Sequence, residues 1–264
     1  MNKVIRAEFG RTINAGLIIA IAGIIFSICF DSFNDLIAGL RNGQGYVGYF
    51  FSNAAFGGMC THYMLPVFTA LPFSVSLCQE RNNKAVSYIV SREGKNRYIF
   101  AKFIVSAISG GFVAVCGTVL LFLMLAMRFP IAGDEFEGAV VSDYFHEWSA
   151  VYYPQLYILT LSILAFCRGV IWSSLALCVS LYTSELMVVL LSHFLGSYVL
   201  VRIFQIIRVP DMVRPDMILI GQVVIKSSGL TLLIAIAISL TIVTLIGAFF
   251  VGKMKEGLKS GTIY

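Results

Sequence analysis

The chain alternates between long apolar stretches and short polar ones, with a period far longer than that of a surface helix. Residues 12–30, 103–127 and 227–252 carry no Asp, Glu, Lys or Arg, and 148–184 carries only Arg168. Two further stretches, 42–79 and 186–207, are nearly as apolar; the first opens on a Gly-rich aromatic run and the second is interrupted by Arg202. A membrane-crossing helix needs about 20 mostly apolar residues. The pattern therefore predicts an all-α, polytopic membrane protein of six transmembrane helices, at about 12–30, 55–79, 100–127, 154–181, 185–207 and 225–252. The segment 181–185 is the best place for the turn between the fourth and fifth helices, with Ser184 as a cap for the fifth. The first stretch is read as a retained helix rather than a cleaved signal peptide, since no small-x-small site follows it where one is expected and five more spans come after it.

Composition agrees. Of 264 residues, 58% are hydrophobic and 12% charged, and mean hydropathy is +0.87. A soluble domain has about 25% charged residues, and a disordered chain needs low hydrophobicity with high charge. Both classes are excluded. The net charge of +5 is an orientation signal rather than a nucleic-acid footprint, because no soluble domain exists to carry a basic face. One side of a six-span chain holds Lys3, Arg6, Arg11, Arg81, Lys84, Arg92, Lys95, Arg97, Lys102, Lys253, Lys255 and Lys259. The other holds Arg41, Arg128, Arg202, Arg208, Arg214 and Lys226, together with most of the acids. The positive-inside rule places both termini in the cytoplasm.

Chemistry-bearing motifs are missing. No phosphate-binding loop, H-E-x-x-H or G-x-S-x-G pattern occurs. The six cysteines sit singly, mostly in apolar runs, and read as small buried residues. His62, His146 and His193 are far apart, and His62 and His193 read as satisfied bundle residues. No acid falls centrally within a span. The expectation is a chain with no catalytic residues, no metal ligands and no cofactor of its own.

Two short segments outside the spans are informative. Residues 1–14 place Val4, Ile5, Phe9 and Ile13 among Lys3, Arg6, Glu8 and Arg11; this is either an amphipathic helix on the inner leaflet or a plain basic flank. Residues 79–102, QERNNKAVSYIVSREGKNRYIFAK, concentrate charge between spans two and three. Ala85, Val86, Ile89 and Val90 recur at helical spacing, so a short helix beginning near Asn82–Asn83 and ending at Gly94 is predicted. Such a segment either holds anionic headgroups or docks its helix on a partner.

The Glu80…Gly94…Arg97…Lys102 arrangement entering a hydrophobic span resembles the coupling-helix loop of bacterial ABC-type exporter permeases, namely the six-span permeases of the second ABC transporter family, which include lantibiotic-immunity and multidrug export permeases. The overall layout is similar along nearly the whole chain. The resemblance implies a permease in the bacterial cytoplasmic membrane, working by alternating access on a peptide, an amphipathic drug or a lipid-like molecule. It implies a second permease subunit, identical or sister, and a separate ATPase subunit that carries the ATP and magnesium. It makes 79–102 the coupling loop, with Glu80, Arg81, Lys84, Tyr88, Arg92, Gly94, Arg97 and Lys102 as the ATPase-docking set. It also implies a re-entrant piece before the last span, for which Arg208 to Ile225 is the candidate; a plain external loop fits those residues equally well. The rivals are an ion-gradient-driven secondary transporter and a non-transporting scaffold or sensor subunit.

Two further residue sets stand out. Arg168 is the one charge deep in a span, where a cation costs about 2.5–3.5 kcal/mol on insertion scales; it either lines a substrate pathway or ties spans together. Small residues four apart, Ala165–Gly169–Ser173 and Ser192–Gly196, suit close helix approach, most simply within one subunit.

Overall fold

A computed structural model describes residues 2–42, 47, 50, 58–74, 76–131 and 153–260. Among them the chain is helical, with no strand. The elements are α1 (Asn2–Thr12), α2 (Ala15–Asp31), α3 (Phe33–Asn42), α4 (Met59–Ala70), α5 (Ser76–Asn82), α6 (Ala85–Glu93), α7 (Lys95–Ala126), α8 (Pro154–Val179), α9 (Leu186–Ile207), α10 (Pro215–Ile220) and α11 (Ser228–Ser260). Four helices, α7, α8, α9 and α11, are long and apolar enough to cross a membrane; α1 and α2, bent by 57° at Ile13–Asn14, make a fifth if counted as one span. These are the helices of a membrane-embedded protein. Their bounds lie near those expected, except that α7 begins at Lys95 and α11 runs on to Ser260.

The expected second span, 55–79, is not one helix. α4 has 12 residues, about 18 Å at 1.5 Å per residue, against a hydrocarbon core of about 30 Å. Pro72 cannot continue a helix, and the chain turns through 71–74 before α5. Two bonds tie the break to its surroundings: Asn14 Nδ2 donates to the Pro72 carbonyl at 3.2 Å, and Ser74 Oγ, within the break, donates outward to the Ser173 carbonyl at 3.0 Å. Irregular backbone is tolerated at such depth where protein groups absorb its polar atoms. At its other end α4 starts on Gly58, which offers no side-chain cap. The Asp31 carboxylate supplies one, accepting from the Cys60 and Thr61 amides at 2.9 and 2.7 Å, where the helix dipole favours an anion.

The turn between α8 and α9 is where the sequence puts it, but Ser184 is not the cap. Glu185 occupies that position without a side-chain bond. Ser184 instead offers its carbonyl to Asn82 Nδ2 at 3.1 Å.

α7 and α8 form the densest pair, and glycine is the reason. A Cβ on Gly169 would lie 2.5 Å from the Gly110 carbonyl oxygen, and one on Gly110 would lie 2.3 Å from Ser173 Cβ. The Ala165–Gly169–Ser173 face is thus a seam within the chain. Ser106 Oγ donates to the Ser173 carbonyl at 3.2 Å and lies 2.8 Å from Ser74 Oγ, tying the α4–α5 turn to the same seam. The Ser192–Gly196 face meets nothing comparable: space around Gly196 is open. Among the described residues, two large apolar clusters occupy opposite ends of the bundle, and a third, small one joins Ala70, Cys78, Ala176 and Val189. Of the large ones, one joins α2, α7, α8, α10 and α11. The other gathers α5, α6 and the near ends of α7, α8 and α11 at the basic end of the bundle. α9 and α11 leave long apolar flanks exposed, Met187, Leu191, Leu195, Leu233, Leu240 and Leu245 among them. All six cysteines are free thiols.

Gly169→Ala is expected to lower the thermal unfolding midpoint in detergent, overpacking costing about 1–3 kcal/mol. Gly196→Ala, in open helix, is expected to leave it unchanged or raise it slightly. Equal shifts for the two variants would mean the seam does not depend on close approach.

Candidate functional site

The residues singled out from the sequence separate into two places. At the basic end, α6 forms where expected, but it begins at Ala85 after Lys84 in left-handed conformation (φ 53°). It ends at Gly94 with φ +85° and extended ψ, a conformation that favours glycine. Val86 and Val90 point inward against Leu77, Tyr98, Leu177 and Met254. The opposite face shows Lys84, Tyr88 and Arg92, with Arg97 exposed one turn into α7; Tyr88 is 68% exposed. Arg92 pairs with its neighbour Glu93 at 2.9 Å.

Three of the expected docking residues have other partners. Arg81 Nη1 donates to the Ser180 and Leu181 carbonyls at 3.0 and 3.1 Å, fastening α5 to the α8–α9 turn. Glu80 and Lys102 are buried, 8% and 0% exposed, and bound to each other at 2.7 Å. Glu80 Oε1 also accepts from Arg11 Nη1 at 2.7 Å, and Oε2 from the Tyr98 hydroxyl at 2.5 Å. Lys102 Nζ lies 3.1 Å from Glu8 Oε2, donates to Ser76 Oγ at 3.0 Å, and sits 4.7 Å from the Phe73 ring centroid. The cluster is two acids against two bases, each touching a group of opposite sign. It joins α1, α5 and α7. It also resets the reading of α1: the helix turns Glu8 and Thr12 into the protein while Ile13 is exposed, so the inward face is organised by a carboxylate rather than by an apolar stripe. The intervals Glu8–Arg11 and Tyr98–Lys102 place each pair on one helical face, which is the signal in the sequence. That both faces meet Glu80 is tertiary.

The second place lies at mid-depth and toward the opposite end of the bundle. Arg168, midway along α8, is 8% exposed, and no hydrogen bond or ion pair reaches its guanidinium among the described residues. It opens on two adjoining cavities. One, about 310 Å³, is lined by His62, Tyr63, Arg202, Gln205, Arg214, Asp216 and Gln222, among others. The other, about 320 Å³, is lined chiefly by Ile171, Trp172, Leu175, Leu200, Phe204, Leu219 and Ile242. Arg168, His62, Asp216 and Ile220 border both. The wall is completed by the segment after α9. Arg208 turns left-handed, a 3-10 turn covers Asp211–Val213, and α10 folds back so that Ile218, Leu219 and Ile220 enter the core. Arg214 crosses to Asp216 with Nη2–Oδ2 at 2.7 Å and to Asp211 at 3.2 Å; the bond to Asp216 pushes its pKa further above the ordinary value. Asp216 is thereby engaged, and Arg168 is left without it.

His193 is satisfied as expected, its Nδ1 lying 2.6 Å from the Val189 carbonyl. His62 is not a closed core residue; it borders both cavities. His146 lies outside the described residues. Nothing in the sequence marks His62, Arg214 or Asp216 as neighbours of Arg168, since they come from α4 and the α9–α11 connection. Among the described residues no three His, Cys, Asp or Glu side chains converge on a point. Comparison with protein-family models, with curated proteins and with solved structures finds no match.

Breaking a buried ion pair from one side costs about 3–5 kcal/mol, because a charge is stranded, whereas removing both charges costs far less. Lys102→Met and Glu80→Gln are each expected to lower the thermal midpoint substantially, and the double variant to recover much of the loss. Strictly additive losses in the double variant would mean the two side chains are not coupled.

Proposed function

We propose that the chain is the permease subunit of an ATP-driven exporter, hydrolysing nothing itself. The six crossings of this reading are α2, the broken pair α4–α5, α7, α8, α9 and α11, with the basic end and both termini in the cytoplasm. The observation that carries it is α6. One face is locked between the ends of α5, α7, α8 and α11, while the other presents Lys84, Tyr88 and Arg92 outward. A helix held that way transmits a push from a docked partner into four spans at once. The partner is a separate ATPase subunit that binds ATP and magnesium. The exposed part of the docking set is Lys84, Tyr88, Arg92, Gly94 and Arg97. Glu80, Arg81 and Lys102 serve behind it, bracing the loop against α1, α7 and the α8–α9 turn.

Alternating access requires a pathway through the bundle, and the cavities beside Arg168 are the candidate for it. The exposed apolar flanks of α9 and α11 suit lipid or a second permease subunit, and the open Ser192–Gly196 face suits close contact with another helix. A gradient-driven carrier is the rival that one observation favours: the second crossing is broken mid-membrane, as helices at ion sites often are. Against it, the one carboxylate among the described residues on the cavity beside the break, Glu80, is already bound by Arg11, Lys102 and Tyr98.

Affinity capture of the tagged protein from its native membrane, with mass spectrometry of what stays bound, tests the reading. An ATPase carrying a phosphate-binding loop is expected in stoichiometric amount, and an Arg92→Ala/Arg97→Ala variant is expected to retain much less of it. Capture without any such ATPase under mild extraction would turn the reading toward a carrier or scaffold.

A further inference from the structure

Burying an unpaired guanidinium at mid-membrane is expensive, and ordinary structural arginines avoid it by binding a carboxylate or several carbonyls. Arg168 does neither among the described residues, although it is more than nine-tenths buried. The nearest carboxylate on its cavity wall, Asp216, is already held by Arg214. The lining of the polar cavity carries Arg168, Arg202 and Arg214 against Asp216, with Asp211 also bonded to Arg214, so the positive charge left over is that of Arg168 and Arg202. That positive charge faces a partly open cavity, buried at Arg168 and exposed at Arg202, and an anion beside Arg168 is held more strongly there than in bulk water. The cavity on the other side of Arg168 is of similar size and opposite character, walled by Trp172, Leu175, Leu200, Phe204 and Leu219. Its single guanidinium is the one it shares with the polar side. Each volume lies within the range of small-molecule sites, about 300–1,000 Å³.

We propose that the paired cavities bind an anionic amphiphile, its carboxylate or phosphate headgroup on Arg168 and its hydrocarbon portion along Trp172, Leu175 and Phe204. Arg168 stands at the junction, so head and tail reach their respective walls from one point. Arg202 and Gln205 stand on the polar side and receive the rest of the headgroup. α10 closes the space through Leu219 and Ile220, held in place by the burial of Ile218, Leu219 and Ile220 in the core. As cargo, this ligand rests on the permease reading; as a bound molecule it does not.

Trp172 provides the readout. The chain has two tryptophans, so in a Trp148→Phe background the emission comes from Trp172 alone. Purified full-length protein in neutral detergent is titrated with dibromostearate, whose bromine atoms quench a tryptophan they touch. The same titration is run with the uncharged methyl ester of dibromostearate, and with inorganic phosphate as a competitor. Saturable quenching by the acid is expected, with the ester weaker by about tenfold or more, the scale of one charge-assisted hydrogen bond. Arg168→Gln should weaken the acid to the level of the ester. Arg168→Lys should keep part of the preference, which separates loss of charge from loss of fold. Phosphate should displace the acid only poorly. Equal quenching by acid and ester, or an unchanged preference in Arg168→Gln, would overturn the proposal. Full displacement by millimolar phosphate would also overturn it, showing a site for a free anion with no use for the tail. Quenching as expected with no captured ATPase would remove the permease reading and leave this site standing; a captured ATPase with no selective quenching would do the reverse.

Discussion

The Glu80 carboxylate is the point on which the basic end of this molecule depends. It is buried and accepts from Arg11, Lys102 and Tyr98. Those three donors come from α1 and α7, while Glu80 itself sits on α5. A carboxylate in such a place is stable only while its partners are held against it, so the three helices are fixed relative to one another by one set of hydrogen bonds. Lys102 is equally constrained: its four-carbon stem is wholly buried, and its ammonium lies between Glu8, Glu80, Ser76 and the Phe73 ring. The bend between α1 and α2 follows, because α1 must turn to deliver both Glu8 and Arg11 to this point.

From that anchor the rest of the bundle is organised by close approach. Gly110 and Gly169 let α7 and α8 touch backbone to backbone, and along the same seam Ser106 and the Ser173 carbonyl bond the hydroxyl of Ser74 from the turn at 71–74. Between helices already surrounded by lipid, packing and hydrogen bonds are what remain to drive association; this seam supplies both. The α6 helix gains its position secondhand. Its inner valines rest on residues that Glu80 and the α7–α8 pair have already fixed.

Toward the other end, cavities surround a charge instead of a bonded cluster. α8 carries Arg168 to the place where α4, α9 and α10 fail to close completely, and α10 is held there by Ile218, Leu219 and Ile220, while its ion pair to Arg214 occupies Asp216. The contrast between the two charge sites is instructive. In the cluster around Glu80 each charge has an opposite within reach, which makes a brace. At Arg168 the available acid is taken, which leaves a binding capacity.

Much was legible in the sequence because it depends on composition along the chain. Apolar length marked four long helices and the turn near 181–185. The periodicity of Ala85, Val86, Ile89 and Val90 marked α6, and Gly94 its end. The small residues of α8 announced a close contact, and the lone charge in that helix announced Arg168. The break at Pro72 was missed because hydropathy averages over it, and the cap of α9 falls one residue later than Ser184, at Glu185. The composition of a segment determines whether it can leave water, so the sequence settled which segments are helical and apolar. It did not settle which charges meet. Glu8, Arg11, Glu80, Tyr98 and Lys102 are brought together from helices far apart in the chain, as are Arg168, His62, Arg214 and Asp216. Whether a buried charge is a brace or a binding group depends on the distance to its nearest opposite, and only the tertiary structure decides that distance.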